Sequence, residues 1–293
     1  MPADLAESLG FYRAEGLDVT IIQTSGSSKV MEALVGGSAD VACAGQTQAI
    51  QLAVEGKAVK CFVAEFNNHG YSLVASPAVR KRISRIEDLK GTTVGVTALG
   101  SGTQQFLDYL LSKHGLSPAD VSTVGVGAGA TNLAALERGQ VSAAVTDLAT
   151  LVLLKKRHPD LVVLADTSSR EGMERIFGSD SLQYALCARA EWLQQNRDTA
   201  RRMARAIIQT LRWIHEHSPE EVRDKMPESF RTNDRETDLD VVRMAVPMYS
   251  TDGMLSDAAA TSAKELLDAS VERVRVSNID LSTVYTNEFV HEK

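Results

Sequence analysis

Two stretches of this chain run through the same order of events. Residues 33–45 read ALVGGSADVACAG and residues 135–147 read ALERGQVSAAVTD. Each closes a helix, passes a glycine and enters a strand of small residues. At an offset of 102 (135 − 33), Asp18/Asp120, Val19/Val121, Ala33/Ala135, Leu34/Leu136, Gly37/Gly139 and Ala42/Ala144 coincide. The identities are few. The shared order of strand, Gly/Ser/Thr turn, helix, glycine and strand constrains the fold more. Repeated strand–helix–strand units build α/β layers of mostly parallel strands. The repeat fits either two lobes of similar build or the general likeness of any two strand–helix–strand pieces.

The rest of the chain continues the pattern. A helix closed by Gly16 leads to LDVTIIQ (17–23), a β-branched stretch that reads as a strand. Strands are expected at 39–45, 59–66 and 71–76, with helices between the first three strand segments. The polar, basic link 77–91 separates these from a second set, with strands near 92–98, 120–127, 141–146 and 160–166 and a further strand at 181–190. From Ala190 onward the apolar spacing is helical, with a Ser-Pro-Glu-Glu restart at Ser218 and a helix ended or kinked at Pro247.

Composition narrows the class. The 293 residues suit two lobes better than one core. The formal net charge is −7 and the densest basic run, Arg80–Arg85, reads as a solvated loop, so nucleic acid is not an expected partner. No window carries the roughly 18 apolar residues of a membrane span. The first residues read as an amphipathic helix and not as a signal peptide, so either the protein is cytosolic or its targeting segment is missing from this sequence. Cys43, Cys61 and Cys187 lie in apolar strand-like runs without metal spacing and read as buried small side chains. The odd count excludes a fully paired intrachain framework, and no single pairing can be judged from sequence. No metal site and no cofactor are expected. The six histidines are scattered, and no catalytic signature is present.

The stretches GFYRAEGLDV (10–19), ALVGGSADVACAG (33–45), EDLKGTTVGV (87–96), GSGTQQFLDYLLSKHGL (100–116), AALERGQVSAAV (134–145) and RAIIQTLRWI (205–214) together resemble the substrate-binding proteins of ABC importers for nitrate, sulfonates, taurine and the thiamine pyrimidine precursor, the NMT1/THI5-like family. The resemblance covers roughly residues 9–220. It implies a two-lobed periplasmic-binding-protein fold (type II), with hinge-crossing strands around Asn67–Ser76 and Leu182–Ala188. Lobe one would be residues 1–74 plus 188–293, and lobe two residues 75–187. A small, anionic organic solute would be captured by cleft closure and offered to an inner-membrane ABC permease by a periplasmic monomer without enzymatic activity. Two departures from the family pattern stand out. Its usual first strand is not in this sequence, and Ser142 stands where the first repeat has Asp40. An enzyme on the same fold, cytosolic and acting in thiamine pyrimidine synthesis or as a small dehydratase, is the alternative, and a ligand-sensing regulator domain a third.

The candidate solute-binding residues sit at strand ends and helix starts, where backbone N–H groups and hydroxyls converge. They are Ser25, Ser27 and Ser28 in the first turn; Gln46 and Thr47 after the strand 39–45; Asn67, Asn68 and His69 at the first crossing. Ser101, Gly102 and Thr103 open one helix of lobe two, Thr131 and Asn132 open another, and Thr146 and Asp147 end a strand. Asp147 equally suits an N-cap. Tyr71 offers a ring for stacking, while Arg170 and Arg175 read as solvated surface.

Overall fold

A computed structural model describes residues 2–24, 26–68, 70–79, 82–178, 183–232, 234–269, 271–275 and 277–290. The chain opens with α1 (Pro2–Ser8), α2 (Phe11–Ala14), α3 (Ser27–Gly36), β1 (Val41–Gly45), α4 (Gln46–Val54) and β2 (Val59–Phe66). The middle third holds β3 (Ser72–Ala75), β4 (Thr93–Val96), α5 (Gly102–Lys113), β5 (Ser122–Gly125), α6 (Ala130–Glu137), β6 (Ala143–Thr146), α7 (Leu148–Arg157), β7 (Val163–Asp166) and α8 (Arg170–Phe177). Then come β8 (Tyr184–Arg189), α9 (Ala190–Gln195), α10 (Arg197–Glu216), α11 (Pro219–Lys225), α12 (Arg235–Ala245), α13 (Asp257–Asp268) and α14 (Glu272–Arg275).

The repeat has a structural basis. At the end of α3, the Gly37 N–H donates to Leu34 O and the Ser38 N–H to Ala33 O. At the end of α6, 102 residues later, Gly139 donates to Leu136 O and Gln140 to Ala135 O. Both glycines have positive φ, 79° and 65°, which only glycine adopts without steric cost. Leu34 and Leu136 are fully buried in each case. The same closing turn therefore feeds β1 in one sheet and β6 in the other.

The strands form two sheets, ordered β1-β8-β2 and β5-β4-β6-β3-β7. In the five-stranded sheet β4 runs parallel to β5 and β6, and β3 runs antiparallel to β6 and β7. The first sheet departs from the parallel expectation, because β8 lies between β1 and β2 and is antiparallel to both. Ala185, Leu186, Cys187 and Ala188 are all buried, and a strand apolar on both faces belongs at a sheet centre. Residues 17–23, expected as a strand, form no strand and join no ladder. A cavity of about 640 Å³ lies between them and β1, and Ile22 is 65% exposed.

The chain crosses between sheets at 67–71 and again between β7 and β8. The sequence division at 74/75 and 187/188 cuts inside β3 and β8. The structure places β3 wholly in the five-stranded sheet and β8 wholly in the three-stranded one. At the first crossing Gly70 has φ 59°, and a Cβ there would overlap Met248 Cε. The C-terminal helices build on the three-stranded sheet. Along α10, Ala200, Ala204, Ile207, Leu211 and Ile214 are fully buried at helical spacing. The Ser218 restart is a capping box with Glu221, and α12 gives way at Ala245 to a 3₁₀ turn containing Pro247.

Helices also bind lobe to lobe. The α7 residues Leu148 and Val152 pack in the same core as Val242 and Ala245 of α12. Lys156 Nζ extends that contact to Asp240 (2.8 Å) and Thr237 Oγ1 (3.1 Å).

Cys61 and Cys187 stand opposite each other on β2 and β8 and form a disulfide, while Cys43 is free. Thiol titration of the denatured, unreduced chain should therefore detect one thiol, rising to three after reduction. Three thiols before reduction would refute the pairing. Replacing both Cys61 and Cys187 by serine should lower the melting temperature, since a crosslink spanning 126 residues restricts the unfolded chain by up to about 4–5 kcal/mol.

Candidate functional site

The registers bring the strand ends of both sheets to one place. Gly45, the last residue of β1, and Phe66, the last of β2, both pair with Tyr184, the first of β8. In the other sheet Ser72, the first residue of β3, pairs with Thr146 at the end of β6 and Asp166 at the end of β7. The crossing 67–71 joins these two ends directly. The helices that follow β1, β4, β5 and β6 therefore begin around the gap between the sheets, the position where open α/β sheets bind ligands.

Two glycine turns meet across the gap. The Gly102 N–H at the start of α5 donates to Ser27 Oγ at the start of α3, at 3.2 Å. Ser28 packs near Gly100 in the same contact. Deeper in, Gln48 of α4 donates to Gln105 Oε1 (3.1 Å), and Gln105 donates in turn to Gln51 Oε1 (2.8 Å). Gln48 and Gln105 are buried, so these amides fasten α4 to α5 away from competing water. None of Gln48, Gln51 and Gln105 was singled out from sequence. Their signal was present only as glutamines, Gln48 and Gln51 on the apolar helix 46–54 and Gln105 early in the helix that follows the turn at 100–103.

The sequence-predicted residues divide by what their side chains already hold. Thr47 Oγ1 donates to Gln48 Oε1 (3.0 Å). Asn67 Oδ1 accepts from Gln183 Nε2 (3.2 Å), and Asn68 Oδ1 accepts the Gly70 N–H (3.0 Å), shaping the crossing. Ser101 and Thr103 form a hydroxyl triad with Thr97, all within 3.0 Å, and Thr103 Oγ1 also accepts the Thr97 N–H (2.9 Å). Thr131 Oγ1 donates to Ala128 O (3.0 Å), and Thr146 Oγ1 to Ser72 O (3.3 Å). Asp147 caps α7, accepting from the Thr150 N–H (2.8 Å) and also from the Gly129 N–H (3.1 Å). Gln46 is different: it is fully buried, and neither amide atom has a partner. Asn132 donates to Val145 O (3.0 Å) but leaves its buried Oδ1 unpartnered. Ser25 and His69 lie outside the described residues. Arg170 reaches Glu174 on an exposed helix face.

Aromatic rings line the crossings. Tyr71 packs against Phe106 (5.9 Å between centroids), and its hydroxyl adjoins Gly102, where a Cβ would approach to 3.0 Å. Tyr184 meets Phe66 edge-on at 6.2 Å. Tyr184 and Gln183 were read from sequence only as strand residues. The cavity beside β1 reaches this place through Gly26, Ser27 and Tyr184.

A thiol and a buried carboxylate are paired nearby. Cys43 donates its thiol to buried Glu65, which also accepts the Ala3 N–H at 2.8 Å. Burial and the adjacent carboxylate push the thiol up, and burial pushes the Glu65 carboxyl up as well. A thiol held protonated is a poor nucleophile. Among the described residues no group of three or more His, Cys, Asp or Glu could hold a metal ion. On α5, burial pushes the Asp108 carboxyl up to about 6 from 3.8, and its Oδ1 has no partner.

Two outcomes follow for α5. Thr103→Val should cost about 1–3 kcal/mol of stability, because it strips the part-buried Thr97 N–H and two hydroxyls of a shared partner; denaturant unfolding measures it, and an unchanged midpoint would contradict the triad. Asp108 holds its proton more tightly folded than unfolded, so its contribution is favourable below pH 4 and is lost as pH rises through about 6. Asp108→Asn should therefore raise the melting temperature at pH 7.5, by at most about 3 kcal/mol in stability, and leave it unchanged near pH 3.5.

The family model described as NMT1/THI5 like matches residues 1–222. A solved structure from Bordetella bronchiseptica RB50 superposes with a TM-score of 0.94 at 30% identity, covering 99% of this chain and 91% of that one. YtlA of Bacillus subtilis, designated a binding protein, is 26% identical over 287 residues, 92% of this chain and 80% of its own length. The alkanesulfonate-binding protein SsuA of Xanthomonas axonopodis pv. citri, solved with MOPS, shares the fold at a TM-score of 0.73 and 15% identity, covering 98% and 96% of the two chains. This chain belongs to the NMT1/THI5-like family and has the two-lobed α/β fold of periplasmic binding proteins.

Proposed function

We propose that the protein is the substrate-binding component of an ABC importer. It takes a small organic solute between its lobes and presents the closed form to an inner-membrane permease. The observation that carries this reading is the meeting of strand ends from two sheets across a gap bounded by helix N-termini, with Ser27 of one lobe already reaching Gly102 of the other. Lobe closure would bend the crossings at 67–71 and before β8. Capture needs no bond-making, which fits side chains engaged in hydrogen bonds and a thiol held protonated. The designation of YtlA and the fold shared with SsuA support the same assignment. Export to the periplasm and action as a monomer belong to this proposal, and the disulfide between β2 and β8 accords with an oxidising compartment.

A thermal-shift screen against small solutes tests it, followed by recovery of any compound that binds. A solute at 100 times its Kd should add about 2.7 kcal/mol of stability and come back chemically unchanged. Recovery of a converted product would replace capture with catalysis.

A further inference from the structure

The two connections between the lobes run between two helix contacts. Gln183 Nε2 donates to Asn67 Oδ1 (3.2 Å), so the connections are tied to each other where they leave the first sheet. Side chains along that sheet alternate between its faces. Cys61 and Cys187 belong to the core that holds Met31 of α3, Ile50 of α4 and Phe106 of α5. Val63 and Leu186 belong to the core that holds Leu148 and Val152 of α7 and Val242 and Ala245 of α12. The contacts of α3 and α4 with α5 therefore lie on one side of the sheet, and the α7–α12 contact on the other. The first crossing shows the same division. A Cβ on Gly70 would run into Met248 Cε and come within 3.9 Å of Leu148 Cβ, whereas the next residue, Tyr71, packs against Phe106 and adjoins Gly102.

Contacts on opposite sides of one hinge line are coupled like the two arms of a lever. Swinging the lobes apart at Ser27 and Gly102 drives α7 toward α12. That space is already filled: Val152, Val242 and Ala245 are all buried, and farther along α7 Lys156 Nζ lies 2.8 Å from Asp240. Side chains packed to this degree resist compression.

We infer that the α7–α12 contact is a stop against opening, and that Val152 and Ala245 are positioning residues whose bulk sets the angle between the lobes with no solute present. Less bulk lets α7 settle onto α12 and the gap between α3 and α5 widen. More bulk holds that gap shut. The use of such a stop rests on the solute-capture reading, because α7 must then move off α12 before a solute enters. Its geometry is the same whichever solute that is.

The test needs no solute. Nitroxide labels at Glu32→Cys on α3 and Ser112→Cys on α5, both exposed positions, report the gap as a distance distribution in the ligand-free chain; a Cys43→Ser background removes the free native thiol. Val152→Ala should at least double the share of longer distances, and Ala245→Val should reduce that share. Leu151→Val is the control. It removes bulk from the opposite face of α7, which packs with Val74 and Leu136 inside the second lobe, so it should lower the melting temperature and leave the distances unchanged. Unchanged distances in Val152→Ala, or an equal widening in Leu151→Val, overturns the stop. If Val152→Ala does not fold, Ala245→Val decides alone, and a share of longer distances that fails to fall overturns it. Either failure leaves solute capture standing, since that reading is decided by recovery of a bound compound.

Discussion

The ladder between β2 and β8 is the contact on which the rest depends. Its strands are brought together from far apart: β2 leads out of the first sheet, and β8 returns only after the whole five-stranded sheet has been made. Without that pairing, β1 and β2 would have no connection in one sheet, because among the described residues β1 pairs with β8 alone. The C-terminal helices would also lose the surface on which α10 and residues 246–250 pack, including the Ser250 N–H bond to Glu65 O. Such long-range pairing is slow to find and gains stability only once the intervening lobe is compact. The burial of every residue from Ala185 to Ala188 is what makes it worth forming.

Much of this fold was legible in the chain, for reasons that can be traced to single residues. Gly37 and Gly139 marked equivalent helix ends because positive φ is open to glycine, and Leu34 and Leu136 marked the buried turn before each. Position within a sheet was not legible. The stretch 184–189 read as one more strand, and nothing local in it says that it enters another sheet between β1 and β2. The stretch 17–23 erred the other way. Its β-branched residues state a preference for extended backbone, but a ladder needs a partner that propensity cannot supply.

The same division runs through the site. Turn chemistry pointed to Ser27 and Gly102, and the structure brings them together. It could not separate residues that face a guest from residues that hold the protein, because Asn68, Thr131 and Asp147 have the same side-chain chemistry in both roles. That distinction is made by hydrogen-bond partners, which depend on distance in space. Gln48 and Gln105 were overlooked for a related reason: 57 residues separate them, and neither is distinctive alone.

The register at the cleft end has a mechanical consequence. Phe66 and Tyr184 are partners on the same rung, so the two connections to the second lobe leave the first sheet side by side. A body hung from two adjacent points can swing about the line through them but resists twisting and sliding. The Cys61–Cys187 link a few rungs behind holds those points at a fixed spacing. Under the solute-capture reading, closure would turn the lobes about that line, and the α7–α12 contact at Val152 and Lys156 would have to shift with it.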